Sequence, residues 1–103
     1  MIERIITIIK AHIAECKSSG NMFDLTQINI EGVTVTKESL KGDGAILYHD
    51  VYDIEMSNGE SIHIDYKSKD QCRSYQVRPD RSKIAITCSN PEFNFEDSWD
   101  ENS

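Results

Sequence analysis

Apolar residues recur at helical intervals from the start of the chain. Ile2, Ile5, Ile6, Ile9, Ile13 and Cys16 follow one another at steps of 3, 1, 3, 4 and 3, which places all six on one face of a helix with about 3.6 residues per turn. The spacing predicts a helix over 2–17. Glu3, Arg4, Ala11, Ala14 and Glu15 take the opposite side, and Ser18-Ser19-Gly20-Asn21 supplies a stop in which Gly20 suits a left-handed cap. Ile5 to Ile9 alone, being β-branched, would favour a strand. The helical spacing runs too far along the chain for that alternative to prevail.

Beyond Met22-Phe23-Asp24 the period becomes two. Ile28 and Ile30 alternate with polar neighbours, and Val33 and Val35 continue on the opposite parity, so one residue must be absorbed near Gly32. A bulge with Gly32 in a left-handed conformation does this, and a tight turn between two short strands is the alternative. Residues 37–45, ending in Gly42-Asp43-Gly44, read as a loop.

From Ile46 to Lys67 two alternating runs flank Ser57-Asn58-Gly59. A two-residue loop would mix apolar and charged groups on both faces. A three-residue turn with a glycine bulge pairs Met56 with Glu60, Ile54 with Ile62 and Tyr52 with Ile64. One face then carries Tyr48, Tyr52, Ile54, Met56, Ile62, Ile64 and Tyr66. The other carries His49, Val51, Asp53, Glu55, Ser61, His63 and Asp65 and meets solvent or a partner. A second hairpin is expected from Arg73–Arg78 and Lys83–Cys88 about a turn at 79–82, setting Val77 opposite Ile84 and Tyr75 opposite Ile86. The predicted fold is α+β: an N-terminal amphipathic helix packed on one face of a mostly antiparallel, sequential β-sheet of four to six strands. It forms a single domain over 1–103, with a β-rich part at 25–88 and an acidic-aromatic tail at 89–103.

The chain has 103 residues, 18 acids, 11 Lys and Arg, and a formal net charge of −7, which counts against nucleic acid or an anionic membrane as a broad partner and favours a basic protein. The acidity is blocked. Residues 43–65 hold six acids and no Lys or Arg, residues 67–83 hold six bases and two acids, and the last twenty residues hold five acids. The basic stretch, with Tyr66 and Tyr75, could contact single-stranded nucleic acid only locally. Cys16, Cys72 and Cys88 are an odd set that matches no zinc spacing, as expected of reduced thiols in a cytoplasmic protein. Charged residues interrupt the isoleucine-rich N-terminus, so it reads neither as a signal peptide nor as a membrane span.

Catalytic candidates are sparse. His12 and Cys16 lie four apart on the helix, but no further ligands accompany them, so no metal is expected. Gly42-Asp43-Gly44 lacks the context of a phosphate loop, and no other cofactor motif is present. His63 could be oriented by Asp53 or Asp65 for general-base work. That would require a deep pocket. Composition and size point instead to an immunity-protein-like inhibitor, acidic and not an enzyme, that neutralises a basic partner such as a bacterial nuclease toxin by blocking its cleft. Asp50, Asp53, Glu55, Asp65, Glu92, Glu96, Asp97 and Asp100 would then supply charge, with Phe95 and Trp99 as anchors in a pocket of the partner. The alternatives are Phe93 and Phe95 closing the core as an edge strand, a structural or adaptor protein making a constitutive contact, and a small enzyme using His63. Alone, the protein is expected to be a monomer or weak dimer.

Overall fold

The computed structural model describes residues 1–41, 48–70 and 79–100. The isoleucine stripe forms helix α1, Ile2–Ser19, whose buried residues are Ile2, Ile5, Ile6, Ile9, Ile13 and Cys16. The helix ends where Gly20 takes φ 76°, and its N–H donates to the Cys16 carbonyl at 2.9 Å. That conformation costs glycine little and any β-carbon more, which is why the stop falls there. Among the described residues no helix is long and apolar enough to cross a membrane.

Five strands follow: β1 (Val33–Lys41), β2 (Tyr48–Met56), β3 (Ser61–Asp70), β4 (Pro79–Cys88) and β5 (Phe95–Asp100). Each pairs antiparallel with the next, giving an open sheet in the order β1-β2-β3-β4-β5. The fold is therefore α+β, as the residue pattern predicts. The expected register around residues 57–59 is present, with Tyr52 opposite Ile64 and Ile54 opposite Ile62. Met56 N–H donates to the Glu60 carbonyl at 2.9 Å, and Gly59 carries the positive φ of 90° that a glycine-bulge turn needs.

Parity divides the sheet. Tyr52, Ile54 and Met56, then Ile62, Ile64 and Tyr66, then Ile84, Ile86 and Cys88 all turn to one side and are buried with the helix stripe. Phe23, from the segment after the helix, enters this core edge-on to Tyr52 with ring centres 5.5 Å apart, and also contacts Tyr66 at 5.5 Å. His12 holds that segment to the helix, its Nε2 accepting from the Asp24 N–H at 3.2 Å.

Three expectations need correction. Ile28–Ile30 form no strand and Gly32 sits in no bulge. A 3-10 turn at Leu25–Gln27 leads instead to a turn at Glu31-Gly32, after which β1 begins. Residues 37–41, expected in a loop, belong to β1, because Tyr48–Tyr52 offer a continuous ladder of backbone partners. Lys83–Cys88 do not form a hairpin about 79–82: Ile84 faces Tyr66 and Ile86 faces Ile64, and Pro79–Ser82 are part of β4. Pairing with β3 sets isoleucine against Tyr66 and Ile64 on the buried side over nearly the whole strand. The expected strand 73–78, like Gly42-Asp43-Gly44 and Cys72, lies outside the described residues.

The tail follows the edge-strand alternative from Phe95 onward, whereas Phe93, expected beside it in the strand, lies in the preceding turn. Asn90 caps a 3-10 turn at Pro91–Phe93, Asn94 Oδ1 accepts from the Cys88 N–H, and β5 then pairs with β4. Phe95 and Trp99 turn to the helix side and pack against the core, Trp99 stacking on Tyr66 with ring centres 6.2 Å apart. Ile9→Ala, at a fully buried position, is expected to cost about 3 kcal/mol and Trp99→Ala about 2 kcal/mol in urea unfolding. A Trp99→Ala variant as stable as the parent would mean that β5 is not part of the folded unit.

Asp24 caps the turn at Leu25–Gln27, accepting from the Thr26 N–H at 3.1 Å and hydroxyl at 2.6 Å, and Lys37 Nζ lies 3.5 Å away. Partial burial raises its pKa, but the two bonds from Thr26 and the Lys37 charge outweigh that and hold the carboxyl below its ordinary value. A lowered carboxylate pKa contributes stability above the unfolded value near pH 4 and loses it as pH falls through the folded value. Asp24→Ala is therefore expected to cost about 1 kcal/mol at neutral pH, and the gap from the parent should close below about pH 4.

Candidate interaction face

The side of the sheet away from the helix is built from the remaining parity, and it is polar along almost its whole extent. Glu55 lies nearest the 57–59 turn. Asp53 and His63 come next, opposite each other. Then follows a row across all five strands: Glu38, Val51, Asp65, Ala85 and Glu96. Lys67 and Lys83 face each other in the row beyond, with His49 and Leu40 alongside. Acids thus gather from the turn to the middle of the face, and lysines occupy its far end.

Two histidines are tied to this surface. His63 Nδ1 lies 2.8 Å from Asp53 Oδ1, and His49 Nε2 lies 3.1 Å from both oxygens of Asp65. A carboxylate has no proton to give, so in each pair the ring nitrogen is the donor. The first contact follows from register. The second is diagonal, since Asp65 faces Val51 and His49 faces Lys67, and diagonal neighbours are within reach of long side chains.

Ala85 leaves a gap between Asp65 and Glu96. An open hollow of about 380 Å³ results, bordered by His63, Asp65, Lys67, Lys83, Thr87 and Glu96. His63 and Asp53 are about half exposed, at 49% and 57% of their side-chain surface, so the deep pocket that His63 catalysis would require is not formed there. Among the described residues, Thr87 contributes the hydroxyl that borders the hollow. Among the described residues, no group of three or more His, Cys, Asp or Glu converges as a metal site would.

The ten residues expected at an interface are divided by the fold. Asp53, Glu55, Asp65 and Glu96 share the outer face. Glu38 joins them although its segment reads as a loop. Glu92 is exposed in the turn at Pro91–Phe93, and Asp100 stands opposite Arg81 in the register. Asp97 turns to the helix and pairs with Lys17 at 2.7 Å, between Phe95 beneath Lys10 and Trp99 beneath Lys17. Asp50 also lies on the covered side, beside Ser39. Comparison with family models, curated proteins and solved structures finds nothing that matches this chain. Function must therefore be argued from its own residues.

The two described thiols, Cys16 and Cys88, are buried. Burial, reinforced by Glu15, pushes Cys16 up to about 11, and burial followed by Glu60 raises Cys88. Both remain protonated at neutral pH, when the thiolate is the reactive form. Iodoacetamide at pH 7.5 is expected to leave Cys16 and Cys88 unlabelled until denaturant is added; rapid native labelling of either, read by mass spectrometry, would contradict their burial.

Proposed function

We propose that the protein is a small acidic inhibitor, immunity-protein-like in action, that works in the cytoplasm and neutralises a basic partner such as a bacterial nuclease toxin by covering its active-site cleft. The observation behind this reading is the outer face: Glu38, Asp53, Glu55, Asp65 and Glu96 project from four of the five strands, and among the described residues no element packs over them. Carboxylates held on a sheet keep fixed separations. They can match a cleft built for phosphates at less entropic cost than a mobile tail would pay. Long-range attraction then speeds encounter, and the lysine end fixes orientation by repelling the wrong approach.

Binding energy at such a surface needs apolar anchors as well as charge. Phe95 and Trp99 are engaged with the protein's own helix and Tyr66, so they are poor candidates. Half-buried Val51, in the row of Glu38 and Asp65, and Leu40, 40% exposed at the lysine end, lie on the outer face and fit the role. No reaction is assigned to the His63 and Asp53 pair. It holds the acid in place while leaving its second oxygen for a partner.

Capture of a basic protein from cytosol at low salt, followed by association kinetics with the purified partner, tests the reading. Asp53→Lys with Glu55→Lys is expected to slow association by about tenfold or more at low ionic strength, the gap narrowing as salt rises. An unchanged on-rate would remove the outer face from the mechanism. A bound partner whose activity continues unimpaired would favour an adaptor role.

A further inference from the structure

A second cleft lies on the other side of the sheet, where the segment after the helix passes the β1 and β2 edge. It has a volume of about 580 Å³, within the range of small-molecule sites. We propose that this cleft binds a single organic cation, a guanidinium or alkylammonium group, seated on Asp50. The proposal is independent of the acidic outer face, since Asp50 turns to the opposite side.

Asp50 is only 8% exposed, and its partner among the described residues is the neutral hydroxyl of Ser39, which donates at 2.8 Å. Among the described residues, no Lys, Arg or His nitrogen comes within 4 Å of it. A carboxylate withdrawn from water is costly unless a cation compensates it. Lys37 borders the same cleft but is engaged elsewhere, 3.5 Å from Asp24 Oδ1 and above the Tyr52 ring.

Among the described residues the Tyr52 hydroxyl is buried without a side-chain hydrogen-bond partner. Burial, followed by the nearby charges of Asp24 and Asp50, raises its pKa against a lowering bond from the Leu25 backbone, so the hydroxyl lies near the two carboxylates that border the cleft.

The rest of the lining selects the ligand's chemistry. Phe23 and Tyr48 border the cleft, and aromatic rings with a carboxylate are the usual surroundings of a desolvated organic cation. A hard metal ion would require more converging oxygens than these two acids offer. The side-chain amides of Asn21 and Gln27 can accept the remaining N–H groups of a guanidinium.

The test uses the full chain, labelled with nitrogen-15 and titrated by NMR with methylguanidinium, with N-acetyl-arginine methylamide, and with the neutral citrulline counterpart. Saturable shifts at the Ser39, Tyr48 and Asp50 amides with both cations, and none with citrulline, are expected. Tighter binding of the arginine derivative would identify a side chain of a partner protein as the source; equal or tighter binding of methylguanidinium would identify a free small cation. Asp50→Asn should weaken binding by about tenfold or more without lowering Tm, since it removes a buried charge. Tyr48→Leu should weaken it several-fold, which keeps the test alive if the first variant is poorly folded. Asp53→Lys with Glu55→Lys should bind as the parent does, so this site and the outer face can fail separately. No saturable shift at roughly 10 mM ligand, or equal binding by Asp50→Asn, would overturn the proposal. So would binding that appears only in Lys41→Gln, since that would identify Lys41, opposite Tyr48 in the register, as the internal counter-ion.

Discussion

The structure depends on one act of burial: the isoleucine face of α1 lies against the one side of the sheet that is apolar. A sheet of this size has two faces, and the described residues hold one long helix, which covers one of them. Each strand then has to place its apolar residues on that side. Because strand side chains alternate strictly, the covered side fixes what appears on the other. Tyr52, Ile54, Ile62 and Ile64 in the core require Val51, Asp53, Glu55, His63 and Asp65 outside. The acidic surface is thus a consequence of core register, and a one-residue slip that moved it would expose four large apolar side chains.

That dependence explains what was legible in the sequence. The helix was readable because its spacing holds over five turns, and the hairpin at residues 57–59 because only one loop length keeps like with like on each face. Elements whose pairing is set by a distant partner were not. Lys37, Glu38 and Ser39 have no strand propensity of their own and are strand because Tyr52, Val51 and Asp50 present backbone partners to them. For β4, both 73–78 and β3 offered isoleucine-compatible registers, and local sequence has no means of ranking a near partner against a far one.

The candidate site was legible in its charge and less so in its geometry. Counting acids by segment located the face but grouped Asp50 with Asp53 and Glu55. Parity alone would have separated them, since Asp50 shares its side with Tyr52. The tail shows the same lesson: Phe95, Asp97 and Trp99 alternate with Glu96 and Ser98, the pattern of a strand with one face on a core. A mixture of acids and aromatics resembles a binding tail only while that alternation is overlooked. Lys17 and Lys10 complete the arrangement from the helix, lying over Trp99 and Phe95, so even the charges there serve the fold.

Where a chain follows local rules almost throughout, the places that break them carry the most functional information. Two stand out, one on each side of the sheet. On the outer face Lys67 and Lys83 stand directly opposite each other, a like-charge pair that weakens a ladder, and neither forms an ion pair among the described residues. On the covered side Asp50 is withdrawn from water with a hydroxyl for company. An apolar residue at position 50 would extend the core, and an acid at 67 or 83 would relieve the lysine pair. Both changes are simple, and stability alone would favour them. Retaining a buried carboxylate that only a hydroxyl meets among the described residues makes sense if a cation from outside completes it, and retaining the lysine pair makes sense if it turns away a wrongly oriented partner, the two locations being separated by the thickness of the sheet that holds them.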